Sequence, residues 1–217
     1  MNDIQQNAAG NTAGFDDNPN KRPLLSIVTP AFNEAQNLPM LHQRLQTVLG
    51  SINMDWEWIV VDDHSTDNTF EVLTRLAEQD KRLRVFRFSH NFGSHMAITC
   101  GLNHADGDCA IVMAADLQDP PEVLPDLLAK WHSGEQVVWA VRTRREGEGF
   151  STVFLSRLFY FLMRHVVGLK EIPSTGADFF LLDRVVLNAF RDFRESNMSI
   201  LPLITWMGFR QATIAYT

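Results

Sequence analysis

A chain of 217 residues, 45% hydrophobic and 21% charged, is long enough to bury one substantial core and reads as a single domain with appendages. A formal net charge of −7 argues against bulk affinity for nucleic acid, yet residues 140–170 carry six basic side chains against only Glu146 and Glu148, which calls for an anionic partner. No run reaches the roughly eighteen apolar residues that span a bilayer, the N-terminus is no signal peptide, and Cys100 and Cys109 lack metal-ligand spacing, so a soluble or peripheral chain with two reduced core cysteines is expected, on the cytoplasmic side.

Residues 1–22 are rich in Asn, Gln, Ala, Gly and Asp and have almost no large apolar groups, so they cannot offset the entropy of ordering. A disordered tail is expected there, and one domain over 23–217. Residues 24–29 predict the first strand, ended by Pro30. Asn33 is placed to cap a helix over 34–49, with Leu38, Leu41, Leu45 and Val48 at helical spacing. Residues 56–61 predict a second strand, and polar groups follow it: Asp62-Asp63-His64-Ser65-Thr66-Asp67. Ser65 or Asp67 would cap the next helix, which carries Phe70, Val72, Leu73 and Leu76. Capping accounts for one or two of these groups. Two acids at the carboxyl end of a strand are also well placed to accept hydrogen bonds from a nucleobase or ribose.

A third strand is predicted over 83–88, then a loop with Asn91 and Gly93, then a helix over 94–105. His90 and His95 flank that loop, and the histidines form no HExxH or comparable cluster. The unbroken apolar run 109–115 predicts a strand buried on both faces, since a half-wet strand would alternate. It ends in Asp116-Leu117-Gln118-Asp119, and Pro120-Pro121 would open a helix near 122–132. Asp116 then emerges where open α/β sheets hold ligands, and a carboxylate there can hold a divalent cation against a diphosphate. Capping by Asp116 or Asp119 is the competing reading. A fifth strand follows over 136–141. Strand and helix alternating at this spacing predict an α/β fold with a parallel, doubly wound sheet. Neither GxGxxG nor GxxxxGK[ST] occurs, so phosphates need another device, for which a carboxylate-bound metal and arginines serve.

Residues 150–167 predict a helix with Phe154, Leu155, Leu158, Phe159, Phe161, Leu162 and Val166 on an apolar arc and Arg157 and Arg164 on another face. Core packing and a bilayer interface both suit such an arc. The apolar stretch 198–209, broken by Pro202 and Gly208, suggests a surface for lipid or an acceptor tail.

Val28-Thr29-Pro30-Ala31-Phe32-Asn33-Glu34, Val61-Asp62-Asp63-His64-Ser65-Thr66-Asp67-Asn68-Thr69, Asn91-Phe92-Gly93 and Asp116-Leu117-Gln118-Asp119-Pro120-Pro121, in that order, resemble the family 2 inverting glycosyltransferases. Arg142-Thr143-Arg144-Arg145-Glu146 and Gly176-Ala177-Asp178-Phe179-Phe180 are similar to the branch that moves a sugar from a nucleotide diphosphate to a polyprenyl phosphate, which includes dolichyl-phosphate mannose synthase and bactoprenol glucosyltransferases. The resemblance implies a GT-A fold, a Rossmann-like and mostly parallel central sheet flanked by helices, with amphipathic helices towards the C-terminus. It implies that Pro30, Phe32, Glu34, Asp62 and Asp63 frame the base and ribose of the donor, with Asn91 nearby. Ordinary core packing competes for Phe32, and a first-turn acid favoured by the helix dipole competes for Glu34.

The same resemblance implies that Asp116 and Gln118 hold Mg2+ or Mn2+ against the phosphates, that Arg142 and Arg145 bind phosphate, and that Asp178 acts beside the anomeric carbon. A solvated face is as good a reading for Arg144. Asp183 reads as a helix cap outside the site. The donor would be a nucleotide sugar, with uridine preferred, and the acceptor a polyprenyl phosphate at the cytoplasmic face of the cell membrane, the alternatives being a soluble or polysaccharide acceptor or a non-catalytic nucleotide-sugar-binding domain; relatives often assemble, so a homo-oligomer is compatible. Two departures stand out. Ala114 occupies the first position of the family's usual D-x-D pair, and relatives continue into a basic loop and two membrane helices, whereas this sequence ends at Thr217, as a shortened chain would.

Overall fold

A computed structural model describes residues 22–142, 178–193 and 200–216. Among these, seven strands form one sheet: β1 Leu24–Ala31, β2 Asp55–Asp62, β3 Leu83–Arg87, β4 Cys109–Val112, β5 Val137–Arg142, β6 Phe180–Asp183 and β7 Gln211–Tyr216, in the order β3-β2-β1-β4-β6-β5-β7. Six helices flank it: α1 Leu38–Leu49, α2 Thr69–Gln79, α3 Ser94–Asn103, α4 Leu124–His132, α5 Arg184–Asp192 and α6 Ile200–Trp206.

The strands are apolar almost throughout because both faces of the sheet are covered, and the period of two divides them. Leu25, Ile27, Trp58, Val60, Ile111, Val138 and Leu181 face α1, α2 and α4. Val28, Ile59, Val61, Val112, Trp139, Phe180 and Leu182 face α3, α5 and α6. Each such aliphatic side chain, once buried, contributes on the order of 1.5–3 kcal/mol. Helix α3 approaches β1 at Gly101, where a Cβ would run into the Val28 side chain; glycine here is a packing requirement.

The predicted mostly parallel α/β sheet is present, with one direction the sequence did not reveal. Strand β6 runs antiparallel to both β4 and β5, while every other pairing is parallel. Boundaries shift for local reasons. Pro30 does not end β1, which runs on to Ala31. Val28 C=O accepts from Met113 N–H on the β4 side, so Pro30, two residues later, turns its missing N–H to the side where β4 has stopped. Helix α1 begins at Leu38, and Asn33 is no cap; it sits at φ 58, a left-handed conformation that asparagine tolerates. Strand β4 stops at Val112, and residues 113–120 form a loop, although Met113 and Ala115 remain buried. A short 3-10 turn, Pro121–Val123, precedes α4.

The stretch read as lipid-facing contains α6, whose Ile200, Leu203 and Ile204 are buried in the core; Trp206 is exposed. Asp183 does cap α5, accepting from Val185 N–H at 2.8 Å. No helix among the described residues is long and apolar enough to cross a membrane. The expected tail over 1–22, Arg22 apart, the predicted helix over 150–167, and Arg144, Arg145, Arg157 and Arg164 lie outside the described residues.

Candidate active site

The chain runs from β1 outward through β2 to β3, then returns to place β4 on the other side of β1. Open α/β sheets leave a crevice at such a switch, outside the carboxyl ends of the strands. Phe32 and Glu34 follow β1 at this rim, Asp63 follows β2, Asp116 follows β4, and Arg142 ends β5. Antiparallel β6 reaches the same rim with its beginning. Phe180 pairs with Val112, so Asp178 lies level with Ala114 and one strand from the Asp116 loop. Strand spacing puts the ends of β2 and β4 about 10 Å apart. Three non-glycine residues among those described have positive φ: Asn33 (58°), His64 (60°) and Leu117 (63°). They follow β1, β2 and β4 respectively, so backbone strain is concentrated at this rim.

The ends of β1 and β2 are laced together. Asn33 Oδ1 accepts from Thr66 N–H at 2.8 Å and Asp67 N–H at 3.3 Å, while Asn33 N–H donates to Ser65 Oγ at 2.9 Å. Glu34 N–H donates to Thr69 Oγ1 at 2.8 Å, and the Glu34 carboxylate accepts from Asn37 Nδ2 at 2.6 Å. Neither Ser65 nor Asp67 caps α2, whose N-cap is Asn68 without a side-chain cap; Asp67 closes the turn before it, accepting from Thr69 N–H at 3.0 Å.

Asp62 is fully buried. Its Oδ1 accepts from Ser65 N–H at 3.1 Å, and its Oδ2 pairs with Arg87 Nε at 3.1 Å without hydrogen-bond alignment. Asp62 therefore braces the turn through Oδ1, while Oδ2 keeps no hydrogen-bond partner among the described residues. Asp63 is buried too, and its carboxylate accepts from Phe92 N–H at 2.7 Å and Gly93 N–H at 2.8 Å. It orders the loop that presents exposed Asn91 and Phe92, where Gly93 needs its φ of 90° to start α3. Pro30 is half-buried inside β1. Phe32 is 45% exposed, so core packing is not its role; with Phe92, 47% exposed, it supplies apolar surface at the rim.

Asp116 is exposed, and its Oδ1 accepts from Gln118 N–H at 3.0 Å, closing a turn with Leu117 in the left-handed region. Neither Asp116 nor Asp119 caps a helix, because no side chain caps the 3-10 turn or α4. Asp119 is buried and holds its own loop. Its Oδ2 accepts from Ala114 N–H at 3.4 Å, and its Oδ1 accepts from Arg142 Nη2 at 3.3 Å and Tyr216 Oη at 2.6 Å. Burial and the adjacent Asp119 carboxylate push the Tyr216 phenol up to about 12, so it remains a donor through the neutral range. Arg142 also donates to Gln118 Oε1 at 3.1 Å and to the Gln118 backbone carbonyl, and its guanidinium lies 5.6 Å from the Tyr216 ring.

Arg142 thus grips the Asp116 loop, and it occupies one lone pair of Gln118 Oε1. Asp178 is exposed at the head of β6. Asn33, Asp119 and Tyr216 are the rim residues whose roles sequence reasoning missed. Only Asn33, a residue type prone to left-handed turns directly after a strand, carried a local signal.

No group of three His, Cys, Asp or Glu among the described residues converges as a metal site. One exposed carboxylate fits a small hard cation that takes its remaining ligands from water and substrate phosphates.

The model of Glycosyl transferase family 2 matches residues 26–190. An uncharacterised glycosyltransferase of Bacillus subtilis, YkcC, is 37% identical over 191 residues, which are 88% of this chain and 59% of that protein. A bactoprenol glucosyl transferase of Shigella phage SfV is 30% identical over 192 residues, 88% of this chain and 62% of that protein. The chain spans about three fifths of the length of the curated relatives it matches. A mannosyltransferase from Pyrobaculum calidifontis, solved with GDP-Man and Mn2+, superposes with a TM-score of 0.59 at 21% identity, covering 91% of this chain and 56% of that one. Glucosyl-3-phosphoglycerate synthase from Mycobacterium tuberculosis, solved with Mn2+, UDP-glucose and phosphoglyceric acid, gives 0.58 at 20% identity over 76% and 57% of the two chains. At these identities the likeness is one of fold, the GT-A arrangement.

Proposed function

The chain belongs to glycosyl transferase family 2, and from that premise we propose that it carries the catalytic domain, residues 23–217, of an enzyme transferring a sugar, with inversion, from a nucleotide diphosphate sugar to a polyprenyl phosphate at the cytoplasmic membrane face. The observation that carries the reading is the rim itself. Asp63 and Asp116 follow β2 and β4, Arg142 ends β5 and Asp178 precedes β6, all at one end of the sheet beside the β1/β4 switch. The polyprenyl acceptor and a UDP-sugar are favoured by likeness to bactoprenol glucosyl transferases at 30% identity.

In this reading Phe32 and Phe92 wall the nucleobase, Asp63 and Asn91 order the polar side of its pocket, and Glu34 faces the ribose. Asp116 holds the divalent cation, Mg2+ or Mn2+, which when bound neutralises charge on the departing diphosphate. Arg142 and Arg145 meet phosphate, Arg142 after exchanging Gln118 for it; a guanidinium fork suits either partner. The acceptor phosphate oxygen attacks the anomeric carbon as the carbon–oxygen bond to the diphosphate breaks, and the electron pair leaves with the diphosphate. An α-linked donor then gives a β-linked product. A phosphate acceptor is already ionised near neutrality, so Asp178 needs to orient and stabilise charge, not remove a proton.

Incubation of the chain with radiolabelled UDP-glucose, MnCl2 and bactoprenol phosphate in detergent tests this. Organic-soluble label with equimolar UDP release, both abolished by EDTA, is expected. UDP release that follows a soluble acceptor instead would move the enzyme to another branch. Metal-dependent UDP binding without turnover would make it a nucleotide-sugar-binding domain.

A further inference from the structure

The loop that carries Asp116 has no regular structure of its own: β4 stops at Val112, Leu117 is held at φ 63, and Asp116 points to solvent. A loop so shaped needs an external hold. The only buried side chain in its polar half is Asp119, which closes the loop on itself through Ala114 N–H and receives two donors from outside, Arg142 on β5 and Tyr216 on β7. The two donors differ. The guanidinium is shared among Asp119, the Gln118 side chain, the Gln118 carbonyl and the Tyr216 hydroxyl, whereas the Tyr216 hydroxyl is the nearer of the two to Asp119 Oδ1, at 2.6 Å against 3.3 Å.

Tyr216 is itself well fixed. It pairs in register with Arg142 across β5 and β7, and its ring stands edge-on to Phe179, with centroids 5.7 Å apart. Phe179 is fully buried, its carbonyl accepts from Ala140 N–H, and it is the immediate neighbour of Asp178. One aromatic side chain thus touches both the loop that presents Asp116 and the ring of the residue next to Asp178.

We propose that Tyr216 is a positioning residue of this active site, whose hydroxyl, through Asp119, holds the Asp116 loop in the shape that accepts a diphosphate-bound cation. Because Arg142 is the group expected to turn towards phosphate, Tyr216 is the donor that keeps Asp119 satisfied once Arg142 has moved. The assignment rests on the nucleotide-sugar reading above. Its consequence is selective: removing one hydroxyl loosens a loop at the rim while the ring stays packed and the core is untouched.

Tyr216→Phe, Asp119→Asn and the double variant test it, each compared with the unmodified chain. In the absence of any cation, hydrogen–deuterium exchange over 113–120 is expected to quicken at least about fivefold in Tyr216→Phe, with exchange in β1 and β2 unchanged. In UDP-binding titrations the Mn2+ concentration giving half-maximal binding is expected to rise about five- to tenfold, while UDP affinity without metal stays within about twofold. Since the Tyr216 hydroxyl acts on the loop through Asp119, the double variant is expected to shift no further than the larger single effect. Wild-type UDP binding with an unmoved Mn2+ midpoint and unchanged exchange in Tyr216→Phe overturns the role of Tyr216 alone, as do effects that multiply in the double variant. Absence of UDP binding by the unmodified chain, with or without Mn2+, overturns the nucleotide-sugar reading and this inference with it.

Discussion

A carboxylate that commits one oxygen to its own backbone and leaves its remaining surface in water is held in place without being neutralised. Asp116 is such a group, fixed by Gln118 N–H and exposed at the end of β4. An exposed side chain of this kind contributes little to folding, so its loss is expected to fall on chemistry. Asp116→Asn should lower sugar-transfer turnover by at least about a hundredfold, the scale of losing one electrostatic stabiliser of a developing charge, with a melting temperature close to that of the parent. Near-normal turnover in steady-state assays would remove Asp116 from the metal role. At this scale the sequence was legible where residue type and position at an element's end sufficed, as for the cap Asp183 and for the placing of Asp116 beyond a strand. It was illegible where the outcome depended on a distant partner. Asp62 and Asp63 look equivalent in the chain, yet one accepts from Ser65 N–H and lies beside Arg87, and the other accepts from two amides of the loop after β3.

Between elements, the clearest electrostatic contact lies at the opposite end of the sheet from the candidate site. Asp80, at the end of α2, accepts from Arg82 at 2.8 Å, from His42 of α1 at 2.9 Å and from Gln46 at 3.2 Å, while the His42 ring stacks on Trp58 of β2. The Arg82 guanidinium, then His42 and Gln46, hold the Asp80 carboxyl well below the usual carboxylate range, against the opposing effect of burial. A folded-state value below the unfolded one means that the native chain binds fewer protons. The stabilisation is therefore fully present above the unfolded value near pH 4, and is lost as pH falls below it. Thermal melts between pH 7 and pH 3 should show a steep acid limb in the parent chain. Asp80→Asn should melt lower at pH 7 and show a shallower limb; a limb of unchanged steepness would mean that other carboxylates carry it. Helical periodicity predicted α1 and α2, but not that the end of α2 meets the body of α1 through a buried His–Asp pair. Periodicity reports which face is apolar and says nothing about which polar residues will be trapped between two such faces.

At the scale of the whole molecule, the decisive feature is the reversed direction of β6. Residues 179–182 are an apolar run in the sequence, and such a run carries no sign of direction. Had β6 run parallel to β4, Asp178 would lie at the far end of the sheet from Asp116; antiparallel pairing brings it to the same rim. Strand β7 was hidden for a related reason: Gln211–Tyr216 is a partly exposed strand whose alternation is weak, and it earns its place by pairing in parallel with β5. The rim is thus assembled from both halves of the sheet, and no local unit contains it. A ligand bound there stabilises the cooperative fold instead of one loop, because opening either half dismantles the site. At a nucleotide-sugar concentration one hundred times its Kd, linkage gives about 2.7 kcal/mol, and in a domain of this size that corresponds to a rise in Tm of about 5–10 °C. UDP-glucose with MnCl2 should therefore raise a single melting transition by that amount, and EDTA should abolish most of the shift. A ligand-induced split into two transitions, with only one of them moving, would show that the halves of the sheet do not share the site.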